Sequence, residues 1–137
     1  LDGAEDALVF GSGIAAVTIP VLALLRQGDE VICVENSYSW TIKLFHDLLP
    51  KFGIRTTFVD GSHTDAIENA ITSKTKLIYL ESPNTFSFDV QDLEAIAKIA
   101  KAKNIITMID NSYCSPLYQQ PIAYGIDLVW KAWATSG

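Results

Sequence analysis

The chain has 137 residues, 49% of them hydrophobic and 19% charged, enough for one domain with a real core and unlike a disordered chain. A net charge of −6, with ten scattered Lys and Arg, argues against a nucleic-acid surface, which needs clustered cations. The longest apolar run, Ile14 to Leu25, is interrupted by Thr18 and Pro20 and falls short of a bilayer span, so no membrane segment is expected.

In chain order, Ala7 to Phe10 reads as a short strand and Ile14 to about Arg26 as a helix, ended by Gln27-Gly28. Glu30 to Val34 (EVICV) is the next strand, nearly all apolar, as strands covered on both faces are. Leu44, Phe45, Leu48, Leu49 and Phe52 give Thr41 to Phe52 a helical stripe, weakened by Pro50 and stopped by Gly53. Ile54 to Val59 is a strand, and Thr64-Asp65 is expected to cap a short helix through Ile67, Ala70 and Ile71. Lys76 to Leu80 is a strand. Asp89, with Asp92 after it, is expected to start the helix whose stripe is Leu93, Ile96, Ala97 and Ala100. Ile105 to Ile109 and Ile126 to Trp130 are the last strands.

Strands alternating with helices imply an α/β fold, three layers αβα with a mostly parallel sheet. Ligands in such sheets bind beyond the carboxyl ends of the strands. The segments to weigh are therefore 11–14, 35–38, 81–85, 110–113 and Lys131 onward.

His46 and His63, the only histidines, have no partners at metal-ligand spacing, so surface roles and no metal are expected. Cys33 and Cys114 lie in or beside apolar strands and read as packed free thiols, which suits a reducing, cytoplasmic setting. No signal peptide is recognisable. The sequence opens at Leu1 without an initiator Met, and a piece of something longer is expected.

Gly11-Ser12-Gly13-Ile14-Ala15-Ala16 sits where a strand gives way to a helix, and N–H groups of a first helical turn attract an anion. Two cofactors carry suitable phosphates. The stretch satisfies G-x-G-x-x-A, the dinucleotide fingerprint, and Glu35 stands about 20 residues on, where a ribose-binding acid is expected. Pyridoxal phosphate instead asks for a phosphate nest, an aromatic plate and a carboxylate for its ring nitrogen. Ser12, Gly13 and Ile14 could form the nest, Tyr38 the plate and Asp110 the acid, although Asp110-Asn111-Ser112 is also ordinary turn chemistry. A dinucleotide leaves an acid at 110 unexplained, which tips the balance.

The segments LDGAEDALVFGSGIAA, LLRQGDEVICVENSYSWT, LPKFGIRTTFVD, TKLIYLESPN and MIDNSYCSPLYQQPIAYGIDLV resemble the pyridoxal-phosphate enzymes of cysteine and methionine metabolism, the cystathionine synthases and lyases and methionine gamma-lyase. The resemblance implies a piece of the large cofactor-binding domain over residues 1–137, without the amino-terminal arm and the carboxy-terminal small domain. It also implies trans-sulfuration chemistry on a small sulfur amino acid and a homo-oligomeric parent enzyme. Matched by motif, Gly13 and Ile14 are the phosphate donors, Tyr38 the stacking tyrosine, Asp110 the ring-nitrogen acid and Ser112 the stand-in for the family's threonine. Asn84 carries the family asparagine, displaced by one position within Glu81-Ser82-Pro83-Asn84-Thr85-Phe86.

After its last strand the family has His-Ser-Ala-Thr-Lys, whose lysine holds the cofactor as a Schiff base and moves the substrate's α-proton. This chain reads Lys131-Ala132-Trp133-Ala134-Thr135-Ser136-Gly137. Lys131 takes the histidine's place and Ser136 falls where the lysine would stand. The expectation is a cofactor-binding piece that is itself catalytically silent.

Overall fold

The computed structural model describes residues 2–132. The elements run α1 (Gly13–Leu24), β1 (Glu30–Val34), α2 (Ser39–Lys43), β2 (Arg55–Val59), α3 (Thr64–Ala70), β3 (Thr75–Glu81), α4 (Leu93–Ala102), β4 (Ile106–Asp110), α5 (Ser115–Tyr118) and β5 (Leu128–Trp130). The strands form one parallel sheet in the order β2-β1-β3-β4-β5. The chain steps outward from β1 to β2, then returns to the other side of β1. The resulting switch point lies between β1 and β3, where loops leaving in opposite directions open a crevice.

Period-two alternation divides each central strand between two cores. Val31 and Cys33 of β1, Leu77 and Tyr79 of β3 and Met108 of β4 pack with Val17 and Val21 of α1 and with Leu44, Phe45 and Leu49. Ile32, Val34, Ile78, Leu80 and Ile109 face the other way, onto Ile67 of α3 and Leu93, Ile96 and Ala100 of α4. The sheet is thus covered on both faces, which is why EVICV is buried at every position.

The helical run expected from Thr41 to Phe52 starts at Ser39 and changes pitch twice, through a π turn at Leu44–Leu48 and a 3₁₀ turn at Leu49–Phe52. Pro50 has no N–H to give the regular ladder, and the chain passes it by bonding Leu49 N to the Leu44 carbonyl. Gly53 ends the run at φ 70°.

Three expectations are corrected. Ala7 to Phe10 is not a strand: Leu8 and Val9 are 80% and 96% exposed. An apolar run becomes a strand only where a neighbour offers a ladder, and none of the five described strands does so. Asp92, not Asp89, caps α4, its side chain accepting from Ala95 N at 3.0 Å. Thr64 lies inside α3, whose cap residue is His63 and makes no side-chain cap bond.

Candidate cofactor site

A cavity of 540 Å³ opens at the carboxyl ends of the strands, lined by Ser12, Gly13, Ile14, Val17, Tyr38, Thr41, Thr85, Asp110, Ser112, Tyr113, Trp130 and Ala132. It draws on the start of α1 and on the segments leaving β1, β3, β4 and β5. Of the expected site residues, all but Asn84 line it. A second concavity of 440 Å³ lies against β2, between Phe45, His46, Pro50 and Arg55. It has neither a helix start nor a carboxylate in its wall.

One wall is the first turn of α1. Ser12 caps it, its hydroxyl accepting from Ala15 N at 3.2 Å, and the N–H groups of Gly13 and Ile14 stand where a helix offers no carbonyl to take them. The bare Cα of Gly13 matters here. A Cβ built on it meets Ala132 Cβ at 3.3 Å and the Trp130 ring at 3.4 Å, so the close approach of α1 to the end of β5 favours glycine.

Another wall is acidic. Asp110 ends β4 at 8% exposure, and its Oδ1 accepts from Ser112 N at 2.8 Å. Burial, opposed by the bonds from Ser112 and joined by the charge of Glu81, raises its carboxyl to about 6. The turn-cap and cofactor readings of Asp110 are therefore compatible, since one oxygen closes the turn while the residue still faces the cavity. Ser112 Oγ accepts from Ala132 N at 2.8 Å, tying this wall to the exit of β5.

Tyr38 is 45% exposed and stands at the cap position of α2, which its side chain does not cap. Its backbone is held from elsewhere, Tyr38 N donating to Glu81 Oε2 at 2.8 Å. The other oxygen of Glu81 accepts from Thr85 N at 2.7 Å and from the Thr85 hydroxyl. Asn84 is engaged outside the cavity: its Nδ2 donates to the Glu35 carbonyl and its Oδ1 accepts from Gln91 Nε2. Thr85, one residue on, takes the place at the cavity wall.

Sequence reasoning missed Thr41, Thr85 and Trp130. Thr85 had a signal, since it stands as far from Glu81 as the family asparagine does in its loop. Trp130, by contrast, is positioned through a contact far away in sequence, its indole N–H donating to the Tyr79 hydroxyl at 3.0 Å.

The dinucleotide reading loses its context: among the described residues no strand precedes Gly11, and Glu35 does not line the cavity. Lys131 pairs with Asp2, and among the described residues no lysine lines the cavity. The stretch Ala134-Thr135-Ser136, where the catalytic lysine was sought, and Trp133 lie outside the described residues. Among the described residues no three His, Cys, Asp or Glu gather as metal ligands, and no helix is long and apolar enough to cross a membrane.

The residues present fit a phosphorylated, nitrogen-bearing ring. The hydroxyl of Thr41 is fully buried at the cavity wall beside that of Tyr79 and makes no hydrogen bond within 3.5 Å, so a polar atom of a bound group would complete it. The cradle at Gly13 and the acid at Asp110 line the same cavity.

Comparison with known proteins accords with this chemistry. The family model described as Cys/Met metabolism PLP-dependent enzyme matches residues 1–135. Cystathionine gamma-lyase of Rattus norvegicus is 41% identical over 129 residues, 93% of this chain and 32% of the relative. L-methionine gamma-lyase of Pseudomonas putida is 37% identical, over 94% of this chain and 32% of the relative. The crystal structure of cystathionine gamma-lyase from Lactobacillus plantarum complexed with L-serine superposes with a TM-score of 0.85 at 39% identity, covering 89% of this chain and 32% of that one. The chain therefore spans about a third of the length of the relatives it matches, and it belongs to the family of pyridoxal-phosphate-dependent enzymes of cysteine and methionine metabolism.

Proposed function

We propose that this chain provides the phosphate and ring contacts of a pyridoxal-phosphate enzyme acting on a small sulfur amino acid, by C–S lyase or gamma-synthase chemistry. The observation that carries the reading is the meeting of the α1 start, Tyr38 and Asp110 around one cavity. When bound, pyridoxal phosphate supplies an electron-withdrawing ring that stabilises negative charge at the substrate α-carbon.

The chain's own residues have separable tasks in this reading. The N–H groups of Gly13 and Ile14, with the positive end of the α1 dipole, bind the phosphate. Asp110 holds a proton at the ring nitrogen, and a cationic neighbour there offsets the burial that otherwise disfavours its charge. Tyr38 stacks against the ring face, the Thr41 hydroxyl donates to a polar atom of the bound group, and Ser112 fixes the Asp110 turn.

With no lysine lining the cavity among the described residues, we propose that the chain as given binds cofactor without turnover. The single partial domain, the homo-oligomeric parent and the cytoplasmic setting belong to the same proposal. Phe86, Phe88, Tyr113, Leu117 and Tyr118 are all exposed, and apolar surface of that extent supports the expectation of further protein against it.

The test is to mix the purified chain with pyridoxal phosphate, follow its absorbance band through gel filtration, and assay keto-acid release from cystathionine and methionine. The expected result is cofactor co-eluting with protein and no keto acid. Failure to retain cofactor refutes the binding role, and sustained keto-acid release refutes the silence.

A further inference from the structure

Glu81 is 1% exposed at the end of β3, yet it is not part of the cavity wall. A carboxylate there is expensive to bury unless its oxygens are satisfied, and a residue that merely filled the strand end would not need charge. Its donors come from two loops on opposite sides of the switch point. Oε2 takes Tyr38 N, from the segment after β1, and Oε1 takes the N–H and hydroxyl of Thr85, from the segment after β3. Tyr38 and Thr85 both line the cavity. One buried side chain therefore fixes two walls of the site without touching its contents.

Glu81 is also the register partner of Asp110 on the adjacent strand. Among the described residues neither carboxylate takes part in an ion pair. Two acids ending neighbouring strands with no cation between them make the cavity a place where a positive ring is favoured over a neutral one.

We propose that Glu81 is a positioning residue for the cofactor, clamping the Tyr38 and Thr85 walls to each other and adding a second negative charge behind Asp110 that selects the ring in its cationic form. The proposal rests on the cofactor reading above. A glutamine in its place keeps the shape but offers one acceptor oxygen for two loops and turns an NH₂ toward an N–H.

The test compares the wild-type chain with Glu81→Gln, using pyridoxal phosphate as the probe. Three quantities are measured: its dissociation constant, the induced circular dichroism of its visible band, and amide hydrogen exchange at Tyr38 and Thr85 without cofactor. The expected outcome for Glu81→Gln is about tenfold weaker binding, a diminished induced signal, and faster exchange at one or both amides. A merely structural role would leave the induced signal of the bound fraction unchanged. Thr85→Val, which removes one donor and leaves the Tyr38 contact, is expected to show the same loss in weaker form, and it decides the matter should Glu81→Gln fail to fold. Wild-type binding and dichroism in the variant that folds overturn the inference alone. If the wild-type chain itself shows no binding and no induced signal, the cofactor reading fails and takes this inference with it.

Discussion

Trp130 on β5 and Tyr79 on β3 meet across the intervening strand β4, the indole N–H donating to the phenol oxygen at 3.0 Å. Tyr79 is fully buried and packs against Phe45 at 5.0 Å between ring centroids, while Trp130 lines the cavity near Gly13. The floor of the site is thus anchored in the sheet core.

This separates the two tyrosines by role. Tyr79→Phe keeps the packing but leaves the Trp130 donor without its acceptor, which costs about 1–3 kcal/mol, read as a lowered denaturation midpoint, with cofactor affinity little changed. Tyr38→Ala, at an exposed ring, is expected to leave the midpoint near wild type and weaken cofactor retention about tenfold. Equal effects of both changes on retention would count against the stacking role.

Gly13 and Gly11 make a second pair, two residues apart in one loop. A Cβ on Gly13 crowds Ala132 and Trp130, whereas one on Gly11 meets nothing within 4 Å. Displacing Ala132 also pulls on Ser112, which its N–H binds. Gly13→Ala is expected to weaken pyridoxal phosphate binding about tenfold, and Gly11→Ala to leave it unchanged, both by fluorescence titration. A loss at Gly11 equal to that at Gly13 would mean that the loop, not the cradle, binds the phosphate.

Much of this arrangement was legible in the sequence because it follows from local pattern. EVICV became β1 with the bounds its apolar run suggested, and the rule that ligands sit past strand ends led to Tyr38 and Asp110. What escaped was set by partners outside each local run. The run from Ala7 to Phe10 has strand composition, but only a neighbouring ladder makes a strand. Asp89 and Asp92 are equally good caps on paper. The 84–91 loop folds back on itself, with Asn84 N on the Asp89 carbonyl and Gln91 N on Ser82 Oγ, which leaves Asp92 at the helix start. Glu81 sits in a motif visible in the sequence, but its bond to Tyr38 spans 43 residues and no local signal announces it.

Thr107 and Asp127 join β4 to β5 through side chains. Asp127 Oδ2 accepts from Thr107 N and Oγ1, both at 2.8 Å, and Asp127 N donates to Thr107 Oγ1 at 2.9 Å. Since β5 has only three residues, this cluster holds the short strand that carries Trp130. Thr107→Val should cost about 0.5–1.5 kcal/mol, because it removes the buried hydroxyl that donates to the Asp127 carboxylate and accepts from Asp127 N. Chemical denaturation measures it, and a change below about 0.5 kcal/mol would show that the strand is held by its backbone ladder alone.

Asp110 links stability to function with opposite signs. Its carboxyl is raised from 3.8 to about 6, chiefly by burial, so between those values the folded chain binds the proton more tightly than the unfolded one. The stability this contributes is fully present below 3.8 and is lost as pH rises through 6. Asp110→Asn does not titrate, and its side-chain oxygen can still accept from Ser112 N. Without cofactor the variant should match the wild type in acid and exceed it above pH 6, by on the order of 1–3 kcal/mol. With pyridoxal phosphate the gap closes or inverts, because a cationic ring nitrogen beside the carboxylate favours its charged form and the tighter binding stabilises the wild type more by mass action. Thermal melts across this range, with and without cofactor, measure both effects. A gap between the two proteins that does not vary with pH would remove the charge of Asp110 from the account, and an Asn variant as strongly stabilised by cofactor as the wild type would remove its partner.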